Sequence, residues 1–506
     1  MAVVGGKIYA LGGTDGGNPL NIVEMYNPAT NRWTTQTPMP TARSGFAIAV
    51  YDNKIFVIGG TVGSGGYIGN NEVYDPLSNS WQTKASMPTP RADLSANQVG
   101  DSIFLMGGKR YSSASPFYGE TNINEVYYPV NDSWSTAASM PTGMKGYASA
   151  VLNDKIYVLG GSRQAGSQGN SITDAVQMFD PQTGTWSQSP KLQNVDSYGA
   201  AAATVGFMAP ARIYCAGGFS WELTNNMEVY FPENHSWSFA EPMHTPRAYL
   251  GLAVVNDVLY AIGGSDGTSW LGTNEQYLPV GYGTVPPKIQ ITSPENQTYT
   301  QVTLAFTVNR AAEWLGYSLD NQANVTVKTE TRLTGLSQGF HSIRMYANDS
   351  LGNIGVSNTV FFSIDTSAPD INVIMPQNES YGSTDIELKF TLNENASYLA
   401  YSLDEQANVT IVENVTLPAL SSGSHRLTIY ATDDLGNSRS ETVYFNIAPF
   451  PMITVVAASA TAIIVVASGY IFFKHRKSSG KEERIKPKEK EALQSATDGS
   501  DASAPK

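Results

Sequence analysis

The chain has 506 residues, a single cysteine and a net charge of −13. One thiol excludes an intrachain disulfide, and an acidic balance excludes a nucleic-acid-binding role, which needs a basic face. The charge is uneven: residues 1–473 hold 22 Lys and Arg against 38 Asp and Glu, whereas residues 474–506 hold 9 against 6.

From the N-terminus, a Gly-Gly pair closes a short apolar strand six times: Gly12-Gly13, Gly59-Gly60, Gly107-Gly108, Gly160-Gly161, Gly217-Gly218 and Gly263-Gly264. The spacings are 47, 48, 53, 57 and 46 residues, which marks one supersecondary unit in repeat. Each copy reads strand, turn, strand, glycines, loop, strand, turn, strand. In five copies a tryptophan follows an aromatic at seven residues: Tyr26 and Trp33, Tyr74 and Trp81, Tyr127 and Trp134, Phe179 and Trp186, Tyr230 and Trp237. Proline stands two residues past each aromatic, at 28, 76, 129, 181 and 232, where a tight turn begins. The combination resembles the kelch repeat, whose four-stranded blades build β-propellers. The resemblance covers residues 1–282 and implies a six-bladed kelch-type propeller.

The sixth copy reaches Tyr277 and Pro279 without a tryptophan seven residues on, and Met1 falls inside a first strand. Neither terminus then supplies the missing outer strand, so the open reading frame is expected to start upstream of Met1.

Loops after the glycines are long and divergent, at 61–71, 109–124, 162–174, 219–226 and 265–274, whereas the opposite turns are short, as at Asn153-Asp154 and Asn256-Asp257. The long loops hold Tyr67, Tyr111, Phe117, Tyr118, Trp221 and Trp270, aromatics outside the repeat pattern. Such rings on a divergent face suit a glycan or protein ligand, though loops also pack on themselves. Arg43, Arg91 and Arg247, from a recurring Met-Pro-x-x-Arg stretch, are placed on the same face as ligand-binding candidates, with a structural role the competing reading. Catalytic chemistry finds little support: His235 and His244 are the propeller's two histidines, and Cys215 sits in a core strand. No catalytic residue, metal ligand or cofactor is assigned.

Two further modules follow, at 286–366 and 367–448. Tyr317-Ser-Leu-Asp matches Tyr401-Ser-Leu-Asp at an offset of 84, and His341 matches His425. Alternation in Val302, Leu304, Phe306 and Val308, and in Ile386, Leu388, Phe390 and Leu392, gives half-buried strands. The pair resembles the Ig-like β-sandwich modules of archaeal and bacterial surface proteins. Seven Asn-x-Ser/Thr sequons concentrate here, at Asn296, Asn324, Asn348, Asn378, Asn395, Asn408 and Asn414, as glycosylation candidates.

Residues 452–473 form an uncharged apolar stretch of 22 residues, long enough for one transmembrane helix across the lipid bilayer. A basic run from Lys474 follows it, which puts the tail of 474–506 in the cytoplasm, disordered, and residues before 450 outside. These features together describe an all-β, single-pass plasma-membrane protein that presents a propeller for binding or adhesion. The rival is a membrane-tethered carbohydrate-active enzyme, an oxidase of the galactose oxidase type or a sugar mutarotase. A cytosolic kelch adaptor is disfavoured by the apolar span.

Overall fold

The computed structural model describes residues 1–63, 66–111, 119–164, 170–194 and 197–449, and every regular element among them is a β-strand. No helix among them is long and apolar enough to cross a membrane, and the 452–473 segment lies outside them.

The repeats fold as successive antiparallel sheets. The first joins Ala2–Val4, Lys7–Leu11, Val23–Asn27 and Arg32–Thr35; the second, Ala47–Tyr51, Lys54–Ile58, Asn71–Asp75 and Ser80–Lys84. The third joins Ser95–Val99, Ser102–Met106, Asn124–Tyr128 and Ser133–Thr136; the fourth, Ala148–Leu152, Lys155–Leu159, Val176–Asp180 and Thr185–Ser189. The fifth joins Ala200–Ala203, Ile213–Phe219, Leu223–Phe231 and Ser236–Ala240, and the sixth has three strands, Gly251–Val255, Val258–Ile262 and Asn274–Tyr277. Each sheet buries its faces against its neighbours. Ile55, Val57 and Tyr74 of the second pack on Tyr9 and Val23 of the first, and Ile8 and Tyr26 of the first pack on Ala253 and Tyr260 of the sixth.

The aromatic-to-Trp spacing becomes a clamp. Tyr74 lies directly opposite Trp81 with ring centroids 5.1 Å apart, and the Trp81 indole N–H donates to Thr37 O at 3.0 Å, on the chain leaving the preceding sheet. The Tyr74 hydroxyl donates at 2.7 Å to Asn79 Oδ1, on the turn between them, and that oxygen also accepts the Thr37 amide at 3.0 Å. Tyr26 with Asn31, Tyr127 with Asp132 and Tyr230 with His235 repeat the hydroxyl contact. The turn residue is left-handed in each case, a conformation that Asn and Asp tolerate. The fourth sheet has Phe179, without a hydroxyl, and there the turn residue is Gly184.

Arg43, Arg91 and Arg247, which the sequence places on the long-loop face as ligand-binding candidates, are each fully buried. Arg43 pairs with Glu72 at 2.5 Å and donates to Gly59 O and Asn70 O, while Arg91 pairs with Glu125 and donates to Leu105 O at 2.8 Å. Arg247 pairs with Glu275 at 2.6 Å. A planar guanidinium with five donors can tie the connecting segment to the third strand and to the glycine carbonyls at once. The fourth repeat replaces both partners, with buried Met144 at the arginine position and Gln177 at the glutamate position, whose amide exchanges hydrogen bonds with Thr142. Removing one member of a buried pair strands a charge, whereas replacing both does not. Arg91→Met should therefore cost about 3–5 kcal/mol, and Arg91→Met with Glu125→Gln should recover most of it in denaturant melts. A double variant as unstable as the single one would show that the pair itself is indispensable.

Two pairs of facing sheets follow. In one, Ile289–Ser293, Thr303–Val308 and Thr331–Arg332 cover a larger sheet built around Gly339–Asn348 and Trp314–Leu319, with Leu304, Ile343, Met345 and Phe362 in the core. It belongs with the repeats to one compact unit, Met1–Asp365. Arg310 explains why: its guanidinium donates to Phe207 O at 2.6 Å and to Val285 O and pairs with Asp349, while Asn353 Nδ2 donates to Gly283 O at 2.8 Å. The buried Asp257 carboxylate, in turn, accepts the amides of Val205, Phe207, Met208 and Ala209 at 2.6–3.0 Å and shapes the loop that Arg310 grips. The second unit begins at Thr366; in it Ile371–Met375, Ile386–Leu392 and Val415–Leu417 face a sheet around Gly423–Thr432 and Ser438–Ile447.

Each pair of sheets contains the same buried histidine. His341 places Nδ1 2.8 Å from Asp320 Oδ2 and Nε2 2.8 Å from Ser337 O; His425 places them 2.7 Å from Asp404 Oδ2 and 2.8 Å from Ser421 O. A ring flanked by a carbonyl and a carboxylate uses both nitrogens as donors, which requires the imidazolium. Burial alone would lower these pKa values, but the carbonyl contact and the carboxylate's hydrogen bond and charge outweigh it and raise both above the usual histidine value. A raised folded pKa adds stability that is fully present below the unfolded value of about 6.5 and disappears as pH rises through the folded value. The melting temperature of the Thr366 unit, read by its own probes in the full chain, should fall as pH rises through that window. His425→Gln should flatten the dependence, and a wild-type profile already flat there would contradict it.

Candidate functional site

The Gly-Gly pairs fix which loops share a face. Gly59 and Gly60 adopt φ of +73° and +102°, and a Cβ on Gly60 would stand 2.8 Å from Ser44 O. Ser44 can then bridge Thr61, the residue after the glycines, and the same bridge recurs between Ala92 and Lys109, Lys145 and Ser162, Ser197 and Phe219, and Ala248 and Ser265. The residue after each bridging Ser, Ala or Lys therefore opens onto the face of the long loops. These residues, Gly45, Asp93, Gly146, Tyr198 and Tyr249, all take φ between +53° and +62°.

They are joined in series by their backbones. The Asp93 amide donates to Gly45 O at 2.7 Å, Gly146 to Asp93 O at 3.2 Å, Tyr198 to Gly146 O at 2.6 Å and Tyr249 to Tyr198 O at 2.8 Å. This arc runs from the second sheet to the sixth and carries a cluster of side chains. Tyr198 lies on Gly146, where a Cβ would stand 2.5 Å from its ring. Tyr198 and Tyr249 have centroids 4.7 Å apart, and Tyr249 and Trp270 6.4 Å. Lys109 pairs with Asp93 at 2.7 Å, and Lys145 with Glu120 at 2.6 Å in a more buried position. Burial, and then the Asp93 charge, raise the pKa of both tyrosines, so the rings remain neutral phenols at neutral pH. The result is an aromatic platform beside paired charges, with exposed apolar area and hydrogen-bonding tips.

The sequence-predicted residues fall into separate groups. Trp270 joins the platform at 46% exposure. Tyr67 and Tyr111 meet edge-on at 4.9 Å, between the loops of the second and third sheets. Trp221 is 89% exposed and held at φ +125°, a backbone conformation that large side chains seldom adopt. Phe117 and Tyr118 lie outside the described residues. Sequence reasoning missed Asp93, Lys109, Tyr198 and Tyr249. Their signal was positional: each lies two residues past the arginine position or two past the first glycine of the pair. His235 is occupied with Tyr230, and exposed His244 with Glu275, so neither histidine joins the platform. Of the sequon asparagines, 296, 324, 378, 395, 408 and 414 are exposed, whereas Asn348 is half-buried.

Comparison with known proteins supports the reading of the repeats. The model of the Attractin/LZTR1 β-propeller matches residues 8–210, and the kelch motif matches 212–244 and 246–281. Human Kelch-like protein 35 is 44% identical over 197 residues, which are 39% of this chain and 31% of that protein. Human Kelch-like protein 23 is 27% identical over 284 residues, 55% of this chain and 39% of the relative, and bovine Kelch-like protein 21 is 32% identical over 255 residues, 50% and 38%. The chain thus spans between three and four tenths of these relatives' lengths. The solved structure of YjhT shares 17% identity with a TM-score of 0.44, over 53% of this chain and 93% of that one. The repeats of this chain are kelch repeats, and they fold as a β-propeller.

Proposed function

We propose that the chain is a binding protein whose six-bladed kelch propeller holds a protein or glycan ligand on the face of the long loops. The observation that carries this reading is the platform of Tyr198, Tyr249 and Trp270 on the backbone-linked arc. Aromatic anchors are enriched at interface centres, and paired charges beside them suit the polar rim. The enzyme alternative would be supported by histidines or unpaired carboxylates converging there. Instead the two propeller histidines are engaged elsewhere, and Asp93 and Glu120 each face a lysine.

In this reading the propeller is displayed outside the cell on two Ig-like modules, and residues 452–473 cross the plasma membrane with the basic tail inside. The uncharged stretch with its one-sided basic flank supports the orientation, and exposed sequons on the modules suit a glycosylated stalk. Protease added to intact cells making the full chain should remove the propeller and leave a membrane-bound fragment; full protection would reverse the orientation.

Ligand class is separable by experiment. Cells displaying the full chain are probed with a glycan array and, in parallel, with surface cross-linking of protein neighbours. Tyr249→Ala with Trp270→Ala should weaken whichever ligand is found by about tenfold or more, at about 1–2 kcal/mol per lost anchor, with the melting temperature unchanged. Normal binding by that variant, together with loss on substituting Asn153 and Asp154 on the short-turn side, would place the ligand on the other face.

A further inference from the structure

The two later modules share one register, so the places where their side chains differ are informative. Gly316 pairs with Thr326 and Tyr317 with Val325 in the first module; Ala400 pairs with Thr410 and Tyr401 with Val409 in the second. The residue after each threonine is buried, Val327 and Ile411, and its amide donates to Leu315 O and Leu399 O at 3.0 Å. Beside this hairpin the second module has an open cleft of about 470 Å³, walled by Leu392, Asn395, Leu399, Thr410, Ile411 and Val412. That volume is in the range of sites that take small molecules.

Three differences between the modules converge on the cleft. At the offset of 84, Asn395 of a sequon stands where the first module has Ala311. Val412, 90% exposed, stands where it has Lys328. The first module also covers the corresponding threonine with its own ring. Trp314 lies across Gly316, where a Cβ would collide with the indole, and its Nε1 donates to Thr326 Oγ1 at 3.0 Å. The second module has Tyr398 and Ala400 at those positions, and the Ala400 Cβ takes the place the indole would need. The module without the sequon thus covers with its own side chain a wall that the module with the sequon leaves open.

The attachment point is fixed as well. Ser397, the third residue of the sequon, donates its amide to Thr432 O at 2.8 Å and its hydroxyl to Asp433 O at 2.6 Å. Asn395 is therefore exposed on the rim of the cleft, just before a pinned strand.

We infer that an N-linked glycan on Asn395 occupies this cleft, with its first sugar against Val412. One face of a pyranose ring presents C–H groups that suit the valine, and its rim presents hydroxyls that suit Thr410 and water. The inference rests on the reading of the modules as an exported, glycosylated stalk. In the attachment step, Asn395 Nδ2 bonds to the anomeric carbon of a sugar carried on a lipid diphosphate. The bond from that carbon to the diphosphate breaks, and the lipid diphosphate leaves with the electron pair. The amide nitrogen gives up one proton, which the transferase takes.

The test uses the full chain purified in detergent from its source organism, with glycopeptide mass mapping and a glycosidase matched to the attached sugar. Sugar is expected on Asn395. In the folded protein it should be trimmed about tenfold more slowly than in the Val412→Lys variant, the protection that a contact worth about 1.4 kcal/mol gives. Denaturation should abolish the difference, and sugar on Asn408 of the same module should be trimmed alike in both proteins. A bare Asn395 with sugar on other sequons overturns the inference alone, whereas sugar on none overturns it together with the exported reading. Trimming of the Asn395 sugar at one rate with and without Val412→Lys means an attached but unseated glycan, and overturns it too.

Discussion

The loop face depends on one constraint: the residue that enters each inner strand must turn left-handed to hand its amide to the sheet before it. Gly45, Asp93, Gly146, Tyr198 and Tyr249 all turn left-handed, and the amides of the last four, with the Gly45 carbonyl, form a hydrogen-bonded arc. Two are glycines, which adopt that conformation at no steric cost; the others carry the side chains that give the face its chemistry. A left-handed tyrosine costs on the order of 1–3 kcal/mol. The backbone arc and the packing of Tyr198 on Gly146 over-determine it. Placement of the platform is thus a property of backbone geometry, with loop sequence free to vary around it.

Elsewhere the repeats solve the same local problem with matched sets of residues, and departures come in pairs. Where the tyrosine hydroxyl is absent, at Phe179, the turn residue has no side chain, at Gly184. Where the arginine is replaced, by Met144, the glutamate becomes Gln177. The fifth sheet is a third solution: Glu228 is buried and accepts the amides of Gln193 and Asn194, and burial raises its pKa despite those bonds. Paired change is what buried polar chemistry demands, since an unmatched donor or charge costs more than either member contributes. It also explains how repeats with such different loops keep one geometry.

Much of this was legible in the sequence. Glycine spacing and the aromatic-to-Trp interval identified the propeller because the first arises from a close backbone approach and the second from a ring contact that recurs in five sheets. The offset of 84 between the two later modules paired His341 with His425, and the structure gives both the same partners. The arginines were harder: a recurring arginine beside variable loops reads as surface chemistry, and only the third-strand glutamates, more than 25 residues away, reveal an internal ion pair. Tyr198 and Tyr249 were invisible for a different reason. They stand at a position that is glycine in two other repeats, so no residue pattern marks it, and its role is defined by φ and by an amide bond to a neighbouring sheet.

The account rests on the amide arc being a permanent feature of the folded propeller, and amide hydrogen exchange resolved by residue measures that directly. Amides of Asp93, Gly146, Tyr198 and Tyr249 should exchange as slowly as those in the central strands, such as Val57 and Val158, because opening them requires separating neighbouring sheets. Exchange at the rate of an exposed loop such as that around Asp266 would contradict the account, since it would mean that the platform is held by loop packing alone.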